Sequence, residues 1–256
     1  MREKAVAWLG SSLDDLRAFP EDVRRAAGYQ LGRVQQGLLP TDWKPMTTVG
    51  PGVLEIRIHS RVEHRVFYVA KFEEAVYVLH AFAKRTRQTP RSEIELARRR
   101  LADLIRRRAR TAGDPMTTKI RRSSGNVFRD LGFSGQEATN LKIRSDLMIR
   151  VSKVIEGRGL TQAQAADLFG VTQPRISDLV RGKIDRFSID TLIAMLGHAG
   201  LRVQIVLGRS SKVASNATLS GRSEQRELRS VEARSWAADG TFLTRRTVAS
   251  ACLETT

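Results

Sequence analysis

Between Gly52 and Lys84 apolar residues recur at every second position, whereas on either side of that stretch they recur at every third or fourth. Such a chain cannot be a single helical bundle or a single all-β sandwich, because a half-buried strand repeats every two residues and an amphipathic helix every 3.6. Leu54, Ile56 and Ile58 alternate with Glu55, Arg57 and His59, and residues 65–70 and 76–83 follow after short polar breaks. These three runs predict antiparallel strands. Ahead of them, Val23, Ala27, Leu31, Val34 and Leu38 share a helical face, opened by Pro20, Glu21 and Asp22 and closed by Gly37. Behind them, Pro90 precedes a helix over 92–108 with the apolar face Ile94, Ala97, Leu101, Leu104 and Ile105. Glu95/Arg99 and Asp103/Arg107 lie at ion-pair spacing along it.

Residues 110–122 carry no period, and the chain then changes character. Helices are predicted over 145–156, 161–169, 172–180 and 188–198, and a last alternating run at 201–207 predicts one strand. The expected architecture is α+β: an N-terminal antiparallel sheet flanked by helices, then an all-α helix-turn-helix domain with one terminal strand. The implied divisions are 1–110, a linker at 111–125, a second domain at 126–208 and a tail at 209–256. From Lys212 onward only eight of 45 residues are Val, Leu, Ile or Phe. So little apolar surface can hardly offset ordering entropy, and the tail is expected to be of low order.

The 256 residues carry a formal charge of +17. Residues 1–110 hold 22 basic and 13 acidic side chains, and residues 111–211 hold 15 and 9. A surplus on two successive segments favours polyanionic partners, since each neutralised phosphate releases a counterion; a solvated arginine-rich face is the plainer alternative. No apolar run approaches membrane-span length and the first residues lack the apolar core of a secretory signal, so a cytoplasmic protein with no membrane partner is expected. The lone Cys252 excludes an intrachain disulfide and a Cys-rich zinc site. No metal-ligand spacing and no phosphate-binding glycine loop is present, so neither metal nor cofactor is expected.

Residues 162–181 have the spacing of a helix-turn-helix. Two short helices locked at a fixed angle need small residues at the crossing, a glycine in the turn and apolar residues under the second helix. Counting Gln162 as the first position, Ala165 and Ala166 fill the crossing, Gly170 is the ninth, Val171 the tenth, Ile176 the fifteenth and Leu179 the eighteenth. Thr161 and Gln164 form a capping box, and Thr172 is placed to cap the second helix. Its exposed side would offer Thr172, Gln173, Arg175, Ser177, Asp178 and Arg181, with Lys183 just beyond, to DNA base edges or phosphates. Any three-helix core can also place Ala, Gly and Leu at such spacings.

The sheet segment carries a second constellation. Strict alternation puts Glu55 with Arg57, Arg65 with Phe67, and His80 with Phe82 and Lys84, leaving Tyr77, Leu79, Ala81 and Ala83 on the other side of the third strand. Two arginines, a lysine, a histidine and a ring are the ingredients for RNA cleavage by the substrate's own 2′-hydroxyl. A solvated sheet face carries similar mixtures. His59 and His64, near a strand connection, read as exposed turn histidines, and His198 as a helix C-terminal cap.

Two stretches resemble known families. Glu55-Ile-Arg57, His64-Arg-Val-Phe-Tyr68, Val78-Leu-His-Ala-Phe-Ala-Lys84, residues 86–90 and Glu93-Ile-Glu-Leu-Ala97 resemble the HigB/RelE-like toxins, especially their phage-derived branch, over residues 4–108. That resemblance implies a messenger RNA endoribonuclease, acting on the ribosome without a metal. It gives phosphate binding to Arg57 and Arg65, proton transfer to His80 and Lys84, and base stacking to Tyr68 or Phe82, of which only one can share the face of Phe67. Ala81 stands where the family often has glycine. Residues 126–207, through Asn126-Val-Phe-Arg-Asp-Leu-Gly-Phe133 and Leu141-Lys-Ile-Arg-Ser-Asp-Leu-Met148, resemble HigA-type antitoxins. This second resemblance implies a dimeric repressor that binds its own operator DNA and neutralises a toxin. The joint expectation is a toxin and its antitoxin in one chain. The alternative is a helix-turn-helix transcriptional regulator whose N-terminal domain is an inactive scaffold or dimerisation module.

Overall fold

The three alternating runs become the middle of a six-stranded sheet in the computed structural model, which describes residues 3–109 and 118–204. The strands are β1 (Ala5–Leu9), β2 (Trp43–Pro45), β3 (Val53–Ile58), β4 (Glu63–Val69), β5 (Ala75–Lys84) and β6 (Ile120–Arg122), in the order β2-β3-β4-β5-β1-β6. β3, β4 and β5 form the expected antiparallel meander, but β1 runs parallel to β5. The sheet is therefore mixed rather than antiparallel. β1 has no alternation to betray it, because Val6 and Trp8 enter one core while Ala7 and Leu9 enter the other.

Helices α1 (Ser12–Arg17) and α2 (Glu21–Gln35) cover the first face, burying Leu13, Leu16, Val23 and Leu31 against Trp8, Ile56, Val66 and Val78. Helix α3 (Arg91–Ala109) covers the second, with Ala97, Leu101 and Leu104 among the same core residues as Phe67, Val69, Leu79 and Phe82. An all-helical region follows: α4 (Val127–Asp130), α5 (Gly135–Gly157), α6 (Gln162–Phe169), α7 (Gln173–Val180), a 3-10 turn (Ile184–Arg186) and α8 (Ile189–His198). Its strand is β6, which precedes the helices and pairs with β1 inside the stretch read as linker. Residues 201–204 of the expected terminal strand are not in strand conformation, and 205–207 lie outside the described residues, as does the tail expected to be of low order. Among the described residues no helix is long and apolar enough to cross a membrane.

Residues Met1–Gln204 form one compact unit, within which the helical region packs on α2. Phe128 of α4 lies against Gly28, where an added Cβ would come within 2.5 Å of Cε1, and Gly32 faces Ser145 and Ile149 of α5. Polar contacts frame this seam. The Arg24 guanidinium donates to the Leu131 carbonyl at 2.8 Å, Arg33 pairs with Glu156 at 2.9 Å, and Arg25 reaches Glu137 at 3.0 Å. Asp130, buried at the end of α4, accepts from the Ser124 amide at 3.0 Å and from Trp8 Nε1 at 3.4 Å. Gly28 and Gly157 therefore answer differently to an added methyl group. Gly28→Ala should lower stability by about 1–3 kcal/mol through overpacking, despite the better helix former. Gly157→Ala, with open space at its Cβ, should be neutral or stabilising. Urea midpoints of the two variants check this.

Candidate nucleic-acid interfaces

Cross-strand register brings the sheet residues together row by row. Arg57 is opposite Arg65, which is opposite Phe82; the next row is Glu55, Phe67 and His80; on the other side Glu63 faces Lys84. Alternation alone would not produce this. Phe67 pairs with His80 but Tyr68 pairs with Val78, so a bulge inserts Leu79 and reverses the parity of β5. Tyr77 and Leu79 therefore share a core with Phe82 instead of lying opposite it. Tyr68, 1% exposed, belongs to the core under α2, and burial raises its hydroxyl pKa. Of the two candidate stacking rings, only Phe82 is on the cations' side.

The arginines are not free. Glu55, buried between them, lies 3.2 Å from Arg57 Nε and 3.5 Å from Arg65 Nε. Arg65 also pairs with Glu63 at 2.8 Å, Glu63 with His59 at 2.9 Å, His59 with Asp42 at 2.6 Å, and Asp42 with Arg57 at 3.9 Å. Six alternating charges thus close a ring around the ends of β3 and β4. His80 is held at both nitrogens: Nδ1 lies 3.1 Å from Asp15 of α1 and Nε2 lies 2.5 Å from Glu93 of α3. Its ring stacks on Phe82 with centroids 5.5 Å apart. Arg100 crosses this cluster, donating to the Leu79 carbonyl at 2.8 Å and to Ser11 at 2.6 Å. Local pattern does not mark these carboxylates as partners, because Asp15, Asp42 and Glu93 come from segments that only the fold brings to the sheet.

The two turn histidines part company. His59 is exposed, whereas His64 is buried, its ring edge-on to Phe19 at 4.5 Å, and burial pulls its pKa down. The expectation of an exposed turn therefore fails for His64, which faces the α2 side of β4.

The helix-turn-helix has its expected geometry. Thr161 and Gln164 make a reciprocal capping box, and Gly170 ends α6 in the left-handed conformation at φ 64°. His198 Nδ1 bonds the Ala194 carbonyl at 2.8 Å, and its ring lies over Gly170. Ile176 and Leu179 point inward. Thr172 has the extended backbone of an N-cap, but its hydroxyl makes no cap hydrogen bond, and Gln173 beside it is exposed. Arg175 lies over the Phe187 ring at 4.7 Å. Asp178 and Lys183 form a pair at 2.6 Å, which holds the Asp178 carboxyl below its usual range. Ser177 is half-buried, and Arg181, at the helix end, is exposed. No hydrogen bond or ion pair among the described residues links this region to Arg57, Arg65, His80 or Lys84, although Arg57 borders a groove of about 580 Å³ that Arg181 and Lys183 also line.

Hydrogen bonds to Asp42 and then Glu63 raise the His59 pKa. The native state binds that proton more tightly than the unfolded chain, so the stabilisation is complete below the ordinary histidine value of about 6.5 and is lost as pH rises through the elevated one. The melting-temperature advantage of the wild type over His59→Gln should accordingly shrink between about pH 6 and pH 9.

Residues 14–102 match the family described as "Phage derived protein Gp49-like (DUF891)", and residues 127–208 match a family described as "Helix-turn-helix domain". A solved structure described as "Putative XRE Family Transcriptional Regulator" is 28% identical, with a TM-score of 0.29, over 34% of this chain and 98% of its own. No curated protein matches. The chain is a two-domain protein, with an N-terminal Gp49-like domain followed by a C-terminal helix-turn-helix domain.

Proposed function

We propose that the chain is a toxin and its antitoxin in one polypeptide. The N-terminal domain is a metal-independent endoribonuclease acting on messenger RNA at the ribosome, and the C-terminal domain, as a homodimer, represses its own operator in the cytoplasm. The observation that carries this reading is the seam at Gly28 and Phe128. It ties the helical domain to α2 within one chain and leaves Gln173, at the start of the recognition helix, open to solvent. Arg57 and Arg65 would hold the scissile phosphate, Lys84 and His80 would move protons, and Phe82 would stack a base. Since Arg65 and His80 are buried and engaged by carboxylates, the docked state is the restrained one, and RNA must displace those partners.

The same burial favours a second reading, a helix-turn-helix regulator whose sheet domain serves only as a scaffold. Expression of the whole chain, of its Phe128→Ala variant and of Phe128→Ala with Arg65→Ala separates the two. The toxin reading expects growth arrest and shortened messenger RNA half-life in the second alone. Three harmless proteins would leave the regulator reading.

For DNA, Gln173 and Arg175 would read bases while Arg181 and Lys183 would contact phosphates in half-sites roughly 34 Å apart. Gln173→Ala or Arg175→Ala should change sequence preference at a cost of about 1–3 kcal/mol. Selection of binding sequences from a random duplex library checks this, and equal loss on operator and random DNA would refute base reading.

A further inference from the structure

A cleft of about 880 Å³ opens between the turn joining α1 to α2 and the turn joining β3 to β4. Phe19 lies in its apolar lining, and Ala81, Phe82 and Ala83 of β5 border it, although the Phe82 ring itself packs on Phe67 and His80. Arg61 and Arg85 stand at its rim. Both are exposed and, unlike Arg57 and Arg65, neither is paired with a carboxylate among the described residues. His64 also lines it, with Nδ1 3.3 Å from Ser60 Oγ and no hydrogen-bond partner on Nε2 among the described residues. Asp22, which acts electrostatically on His64 but forms no ion pair among the described residues, is an acceptor for a base amino group.

A recess with Phe19 in its apolar lining, flanked by two guanidinium groups without a carboxylate partner among the described residues, fits a splayed base between two phosphates. We propose that the cleft holds one nucleotide of single-stranded RNA, with the flanking phosphates on Arg61 and Arg85 and the 2′-hydroxyl at His64 Nε2. This rests on the nuclease reading and gives the proton-accepting role to His64, whose ring has an uncommitted nitrogen, in place of His80, which has none. Burial pulls the His64 pKa down, against the raising effects of the Val62 backbone and Asp22, and so favours the form that accepts a proton. Nε2 takes the 2′-hydroxyl proton as the O2′–P bond forms and the P–O5′ bond breaks. The leaving 5′-oxygen takes a proton from water, which gives a 2′,3′-cyclic phosphate and a 5′-hydroxyl.

The test is titration of the full chain with a fluorescent, uncleavable 2′-fluoro RNA pentamer. Arg61→Ala and Arg85→Ala should each weaken binding about tenfold and reduce the salt slope by about 0.7. Ala18→Trp, which fills the cleft without changing charge, should weaken it as much. These three positions are exposed, so melting temperatures should match the wild type. On ribosomes carrying an unmodified message, His64→Gln placed in the unrestrained Phe128→Ala chain should slow cleavage a hundredfold or more relative to Phe128→Ala alone, while its affinity for the pentamer stays unchanged. Affinity that survives all three rim and filling variants but falls with Lys84→Ala overturns the cleft and leaves the nuclease reading standing. Cleavage by the double variant at the Phe128→Ala rate overturns the proton-transfer role of His64, and a Phe128→Ala chain that neither binds nor cleaves RNA overturns both readings.

Discussion

Helix α2 is buried on two opposite sides. Val23, Ala27, Leu31 and Val34 face the sheet, while Gly28 and Gly32 let α4 and α5 approach closely enough for Phe128 and Ile149 to pack against backbone. A Cβ at Gly28 would press on the Phe128 ring, whereas one at Gly32 would need only a slight shift of Ser145; Phe128, Leu131 and Leu141 share one continuous core with the sheet. The close packing of this seam therefore relies chiefly on the missing Cβ of Gly28. Strand β6 adds a second tie by extending the sheet at β1, so the polypeptide between the domains is partly structure rather than tether.

Electrostatics divides the basic surplus into two kinds of cation. Around the ends of β3 and β4, Asp42, Glu55 and Glu63 alternate with Arg57, His59 and Arg65, and each desolvated guanidinium is offset by a carboxylate in contact. Such a ring holds side chains in register but projects little field. Exposed cations without a carboxylate partner among the described residues, Arg61 and Arg85 on the sheet domain and Arg181 on the helical one among them, project field that can attract phosphate. Net charge raises the expectation of a polyanionic partner, while the pairing decides which cations are available to one.

The bulge in β5 shows how small a local irregularity can redirect a site. One inserted residue, Leu79, moves His80 and Phe82 to the face of Phe67 and lets α1 and α3 close on the imidazole from both sides. Counting by twos cannot anticipate this, because nothing in Val-Leu-His-Ala marks the position where the ladder slips. The same limit applied to His64. Its place near a polar turn implied exposure, but the α1–α2 turn brings Phe19 over it.

What the sequence determined by itself was everything encoded in local period and spacing. The three central strands, α2, α3 and the four later helices follow from one-sided burial, and the helix-turn-helix follows from small residues, a left-handed glycine and a capping box within twenty positions. Only the tertiary structure decided what depends on partners distant in the chain. Strand β1 is buried on both faces and so has no period. β6 owes its conformation to the free edge of β1. The carboxylates that occupy Arg57, Arg65 and His80 arrive from α1, α3, the strands themselves and the loop before β2. Periodicity records which side of an element meets a core, whereas ion pairing and access are set by which elements meet each other, and that is fixed only when the chain closes on itself.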